Sequence, residues 1–187
     1  MLVPEYIECS FREQIMLKPY RKITVSGICN AANVPRTHFY TYYDNKDDLL
    51  DKIVFKDIVQ PVVNLQAALR GLRMKSMALV ISEHMFLSVY EKKEFYSRVN
   101  AINDSANLIR SLTNRCTVLN ANILQTVDIP EIEKSYLAYI TATVQAAMIS
   151  KWIERGYDTD SQQMAQFFRR WISDSWKFYF LQDNMPE

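Results

Sequence analysis

Glycine occurs three times in 187 residues, at Gly27, Gly71 and Gly156, where average usage of roughly 7% would place about 13. Glycine supplies the positive-φ positions of tight hairpins and the close backbone approach of phosphate-cradling loops. A chain this poor in it excludes a glycine-rich phosphate loop and argues against a hairpin-rich β fold. The six prolines, Pro4, Pro19, Pro35, Pro61, Pro130 and Pro186, read as punctuation, since proline lacks an N–H and suits a first helical turn or a connection. None of them needs to sit deep inside a helix. The segments between them predict an all-α fold of about nine helices, over 4–17, 24–32, 35–42, 46 to about 61 or somewhat beyond, 73–91, 92–101, 104–126, 130–155 and 160–182.

Periodicity supports these segments. Ile102, Ile109, Cys116 and Ile123 recur every seven residues with Leu112 and Leu119 between them, a bundle stripe at helical spacing. Ala138, Ala142, Ala146, Ile149 and Ile153 share one side of the next helix. Met164, Phe168, Trp171, Ile172, Ser175 and Tyr179 line one face of the last. Gly156 is placed to end the helix before it, at a left-handed position.

Apolar residues make up 49% of the chain and charged residues 23%, a composition that buries a core without staples. No apolar run approaches the about 20 residues of a membrane span, and the first ten residues lack the apolar region of a secretory signal. Cys9, Cys29 and Cys116 are odd in number and have no paired spacing. They read as reduced thiols of a cytoplasmic protein. The two histidines, His38 and His84, form no metal-ligand spacing, and no nucleophile elbow or phosphate loop is present. No catalytic constellation assembles, so the reading is non-enzymatic, with no metal and no cofactor.

Residues 24–46 read TVSGICNAANVPRTHFYTYYDNK. Thr24 can cap a helix of about eight residues. Asn33 suits a left-handed turn, Val34 precedes proline and is extended, and Pro35 opens the next short helix. Two short helices joined by a tight turn form a helix-turn-helix. Within the second, Phe39 and Tyr43 are four apart and can pack inward with Ile28 and Val34. Arg36, Thr37 and Tyr40 lie on the other side, flanked by His38, Thr41 and Tyr42. Arginine can bond guanine bidentately, a threonine methyl can meet thymine, and hydroxyls and lysine suit phosphates. From Gln14 to Tyr43 there is no acid, and Lys18, Arg21, Lys22 and Arg36 contribute +4. Residues 1–60 nonetheless balance eight bases against eight acids. That balance predicts weak non-specific binding and a modest salt dependence.

The stretch KITVSGICNAANVPRTHFYTYYDNKDDLL resembles the N-terminal domain of TetR-type transcriptional regulators. The resemblance runs over roughly residues 5–55 and includes Ile23-Thr24-Val25, Ile28, Ala31-Ala32, Arg36-Thr37, Phe39-Tyr40 and Asn45-Lys46 with Leu49. It departs from the family at Gly27, inside a helix, and at Asn33, where the family commonly has glycine. It implies a helix-turn-helix DNA-binding domain over 1–55 and a helical ligand-binding and dimerisation domain over 56–187. It further implies a homodimer that binds double-stranded DNA at a palindromic operator, usually as a repressor, and is released by a small-molecule effector. Carried over by position, Arg36, Thr37 and Tyr40 face bases. Thr24, His38, Thr41, Tyr42 and Lys46 hold the DNA backbone.

The remaining residues carry two readings each. Ala138, Ala142, Ala146, Ile149, Ile153, Phe168, Trp171 and Ile172 are the expected dimer interface, the alternative being that the alanines pack on the chain's own 104–126 helix. Met77, Ile81, His84, Met85, Phe95, Leu112, Cys116, Tyr139 and Thr143 are the candidate effector pocket, the alternative being plain core, with His84 a satisfied boundary histidine. For the whole protein, the alternative to an operator-binding repressor is a partner-dependent co-regulator acting mainly through protein–protein interaction, which the net-neutral N-terminal region keeps open.

Overall fold

The computed structural model describes residues 2–68, 74–102, 107–125 and 127–181, the side chains of 66–68, 74–79 and 173–181 excepted. The elements are α1 (Val3–Leu17), a 3-10 turn (Tyr20–Lys22), α2 (Val25–Ala32), α3 (Arg36–Tyr42), α4 (Lys46–Val54), a π-helical turn (Phe55–Val59), α5 (Gln60–Ala68), α6 (Met74–Glu91), α7 (Lys93–Asn100), α8 (Leu108–Leu124), α9 (Glu131–Glu154) and α10 (Ser161–Leu181). Counting the continuous stretch 46–68 as one rod, the described residues form nine α-helical rods and no strand.

Helices α1 to α4 form a small head. Ile7, Phe11 and Ile15 of α1 pack against Ile23, Ile28, Phe39, Leu49 and Ile53, all buried. Thr24 accepts from the Gly27 N–H at 3.0 Å and so caps α2. α2 ends where Asn33 adopts φ 54°, ψ 44°. The Val34 N–H then reaches Cys29 O and the Asn33 N–H reaches Asn30 O, satisfying the last carbonyls of the helix. Gly156 (φ 71°) performs the same service at the end of α9.

The body pairs α8 with α9 and α6 with α10. An aromatic cluster fastens the two pairs together: Trp152 of α9 meets Phe86 and Tyr90 of α6, and Phe86 meets Phe168 of α10. The Trp152 indole N–H donates to Thr159 O at 2.8 Å, so the ring is buried without an unpaired donor. In α8 the buried face is Leu108, Leu112, Cys116, Leu119 and Leu124. Ile109, counted in the seven-residue stripe, points outward. The helix begins at Leu108 rather than 104, so Ile102 belongs to a different segment and does not set its phase.

Pro61 lies inside the 46–68 rod, where punctuation was expected. It cannot donate to Asp57 O, and its ring crowds that carbonyl. The rod accommodates it by widening into the π turn, in which the Gln60 N–H reaches Phe55 O. This wide turn carries Asp57, a buried carboxylate. The Arg12 guanidinium of α1 donates to both its oxygens at 2.8 and 2.9 Å, the Tyr96 hydroxyl of α7 donates at 3.0 Å, and Lys92 stands 3.5 Å away. Six residues earlier, Asp51 accepts from Ser111 of α8 at 2.5 Å and pairs with Arg115.

The left-handed backbone at Asn33 carries a specific cost. A β-branched residue there is strained by about 1–2 kcal/mol, whereas asparagine and glycine visit this region readily. Asn33→Val is therefore expected to lower unfolding stability by about that amount while Asn33→Gly stays near wild type. Urea denaturation of the three chains checks it, and equal midpoints for Val and Gly would contradict the left-handed turn.

Candidate nucleic-acid interface

The seven residues of α3 divide by their spacing. Phe39 is fully buried, and Tyr43, just past the helix end, is nearly so; its hydroxyl donates to Glu8 at 3.3 Å and burial pushes its pKa upward. Phe39 and Tyr43 fix the helix to the head. Arg36, Thr37, His38, Tyr40, Thr41 and Tyr42 are all exposed on the remaining surface. The Arg36 guanidinium donates to the Tyr40 hydroxyl at 3.2 Å and stands 5.9 Å from its ring centroid, so the two reach outward as a pair. The Thr41 hydroxyl donates to Thr37 O at 3.2 Å and keeps its acceptor capacity.

The C-terminal end of α3 is braced. Lys52 donates to Tyr42 O at 2.7 Å and to Asp48 at 2.9 Å. Asn45 caps α4 by accepting from the Asp47 and Asp48 N–H groups. Lys46, assigned to the DNA backbone, donates instead to Tyr20 O at 2.9 Å and Ile23 O at 3.1 Å, over the Tyr20 ring. Two of its three donors thus tie the entry of α2 to α4, and one is left for a phosphate.

Five of the eight acids in residues 1–60 are engaged by partners within the protein: Glu8 with Lys56 and Tyr43, Asp47 with Tyr20, Asp48 with Lys52, Asp51 with Arg115, and Asp57 with Arg12. Glu5, Glu13 and Asp44 are exposed and enter no ion pair among the described residues. Lys18, Arg21, Lys22 and Arg36 enter no ion pair among the described residues. A charge sum over 1–60 misses this pairing, because it weighs paired and unpaired groups alike.

In the body, the stripe Ala138, Ala142, Ala146, Ile149, Ile153 and Phe168 is buried within a single chain, which corrects its assignment to a dimer interface. The alanines let α8 and α9 approach closely, and Asn120 of α8 donates to Ala138 O across that contact. Trp171 and Ile172 are half-buried against the same core. The face of α9 open to solvent carries Ile132, Tyr136, Tyr139 and Ile140.

Of the candidate pocket residues, Ile81, Met85, Phe95, Leu112 and Cys116 are buried in one cluster. Burial pushes the Cys116 thiol up to about 12, so it packs as a small hydrophobe. The Met77 side chain lies outside the described residues. His84 is half-buried in an outer cleft of about 500 Å³ between α6 and the start of α10. Tyr139 is a correction: it is exposed on the outer face of α9, one position past the buried Ala138. Thr143, on that same side, donates its hydroxyl to Tyr139 O.

Sequence reasoning missed the interior polar groups. The hydroxyls of Thr113 and Thr141 are buried without a hydrogen-bond partner among the described residues, and Gln145 donates to Met85 Sδ at 2.9 Å. Thr141 and Gln145 are one helical turn apart on the buried face of α9, a spacing visible in the sequence but indistinguishable there from an ordinary polar boundary.

Two family profiles match this chain. One, described as bacterial regulatory proteins of the tetR family, covers residues 12–53, and the other, a transcriptional regulator C-terminal region, covers residues 79–174. No curated protein matches the chain by sequence. Among solved structures, a TetR-family regulator from Syntrophomonas wolfei is similar with TM-score 0.67 at 12% identity, covering 96% of this chain and 94% of that one. The dihydroxyacetone kinase operon activator DhaS is similar with TM-score 0.58 at 16% identity, covering 95% and 98%. FadR of Bacillus subtilis, solved in complex with stearoyl-CoA, is similar with TM-score 0.60 at 14% identity, covering 89% and 95%. These likenesses show a shared fold. With the C-terminal profile spanning just over half of the residues and the N-terminal profile lying on the helix-turn-helix, this chain belongs to the TetR family of bacterial transcriptional regulators.

Proposed function

We propose that the chain acts as a homodimeric repressor that reads a palindromic operator through α3 of each protomer and is released by a small-molecule effector held in the body. The observation that carries the reading is the α3 face, six exposed side chains presented by a helix anchored through Phe39 and Tyr43. Arg36, Thr37 and Tyr40 are assigned to base edges. Thr24, His38, Thr41, Tyr42 and the remaining donor of Lys46 are assigned to phosphates. Lys18, Arg21 and Lys22 enter no ion pair among the described residues and would add to the salt dependence wherever DNA reaches them.

Dimerisation is assigned to the solvent face of α9, where Ile132, Tyr136, Tyr139 and Ile140 stand exposed and aromatic anchors suit an interface core. Phe167 of α10 is exposed as well and extends the apolar area. The effector is assigned to the interior between α6, α8 and α9, with Ile81, Met85, Phe95, Leu112 and Cys116 as apolar walls. Thr113, Thr141 and Gln145 would meet its polar end, since buried hydroxyls without partners are costly unless a ligand satisfies them.

Selection from random duplex DNA at two salt concentrations tests operator binding. A palindrome with half-sites about one helical turn apart, or a multiple, is expected; recovery of no preferred sequence would overturn the repressor reading. With the selected site, Arg36→Ala should cost about 1–3 kcal/mol and relax preference at one base position. A loss equal for every sequence would remove Arg36 from base reading. Ile140→Glu should shift the sedimentation profile toward monomer with little loss of helix content, because the side chain is exposed in the single chain; an unchanged dimer would place the interface elsewhere. Thr141→Val removes a buried unpartnered hydroxyl at constant shape, and thermal unfolding should show it neutral or stabilised by up to about 1 kcal/mol. A loss larger than that would mean the hydroxyl is already satisfied.

A further inference from the structure

Three elements that belong to different parts of the molecule meet on the Asp57 carboxylate: α1 of the head through Arg12, the rod 46–68 through Asp57 itself, and α7 of the body through Tyr96. Arg12 reaches both neighbours. Its guanidinium forms two hydrogen bonds to Asp57 and lies 4.8 Å from the Phe95 ring centroid of α7. Asp57 is buried, and Arg12 and Tyr96 are its two nearest partners. Asp57 lies within the π turn. Six residues before it, at about 100° per residue, Asp51 leaves the rod on a different side and is engaged by α8 instead.

We infer that Asp57 is a positioning residue that sets the orientation of the DNA-reading head on the body, by holding Arg12 and Tyr96 on one carboxylate at the π turn. Released from it, α1 keeps its own packing against α2 and α3 through Ile7, Phe11 and Ile15, so the head stays folded but is no longer held at one angle. In a dimer the two heads then lose their fixed separation. The inference rests on the dimeric, operator-binding reading for its effect on DNA, and on the joint alone for its effect on dynamics.

The test compares the full-length wild type with Asp57→Asn and Tyr96→Phe, each first checked for helix content. Binding is measured on a series of duplexes carrying the selected half-site at spacings varied by single base pairs. Wild type should prefer one spacing by tenfold or more over spacings two base pairs away. Asp57→Asn should flatten that preference to about threefold or less while leaving the base preference within each half-site unchanged. A variant that merely weakens the fold would lower binding at every spacing alike, and retention of the wild-type spacing preference by Asp57→Asn overturns the assignment. If Asp57→Asn loses its helix content, Tyr96→Phe decides, because it keeps the Arg12 pair and removes one bond; partial flattening supports the joint and none overturns it. If wild type binds no duplex, the operator reading falls by itself and amide hydrogen exchange decides. Amides of α1 should then exchange about tenfold faster in Asp57→Asn, relative to those of α8 and α9, and equal rates would overturn the positioning role.

Discussion

A buried carboxylate has to be matched by charge and by hydrogen bonds, because desolvating it alone costs several kcal/mol. In this protein that requirement falls on Asp57 at the joint between head and body, and Arg12, Tyr96 and Lys92 meet it from three segments. Removing one member of such a group leaves a buried charge uncompensated, which typically costs about 3–5 kcal/mol. Hydrophobic contacts tolerate sliding, whereas a bidentate arginine–carboxylate pair fixes direction as well as distance. The head therefore meets the body through a contact with a preferred angle, and in the proposed dimer the separation of the two α3 helices would inherit that angle.

The same engagement of acids shapes the surface that faces DNA. Each carboxylate held in an ion pair, Asp51 by Arg115 of the body or Glu8 by Lys56, is removed from competition for the free cations. Lys18, Arg21, Lys22 and Arg36 stay outside the ion pairs among the described residues, so a head with zero formal charge still has cations to offer. Long-range attraction stays small because the net charge is small, while contact with phosphates is unhindered at short range. Such a head would discriminate between sequences more than it accumulates on DNA at large.

Local sequence was enough where local physics decides the structure. Thr24, Asn33, Val34 and Pro35 each act within a few residues, and the structure places the cap, the left-handed turn and the start of α3 where they imply. The division of α3 into a buried Phe39–Tyr43 edge and an exposed Arg36–Tyr40 edge follows from spacing alone. The body was legible as helices but not as partnerships. Periodicity says that Ala138, Ala142 and Ala146 face something close, and is silent on whether that is α8 of the same chain or a second chain. Arg12 and Asp57 are 45 residues apart, and no local pattern links them. Pro61 was the available signal: read as a break, it concealed that a helix can pass through proline by widening one turn.

That widened turn bears on how such a protein could be switched. A regulator needs an element with two arrangements close in energy, and a π turn differs from an α turn by one residue of register. Pro61 holds the turn open, and the carboxylate it displays has partners on both sides of the joint. An effector that loosens the packing of α6, α7 and α8 would act on Phe95 and Tyr96, which touch Arg12 and Asp57 directly. The interior hydroxyls of Thr113 and Thr141 and the surface of α3 are then connected through contiguous contacts, α8 to the rod by Asp51 and the rod to α1 by Asp57. To shift the heads of the proposed dimer, an effector would need only to favour one geometry of this joint over another, by a differential affinity of a few kcal/mol. That is comparable with the strength of the contacts the joint contains.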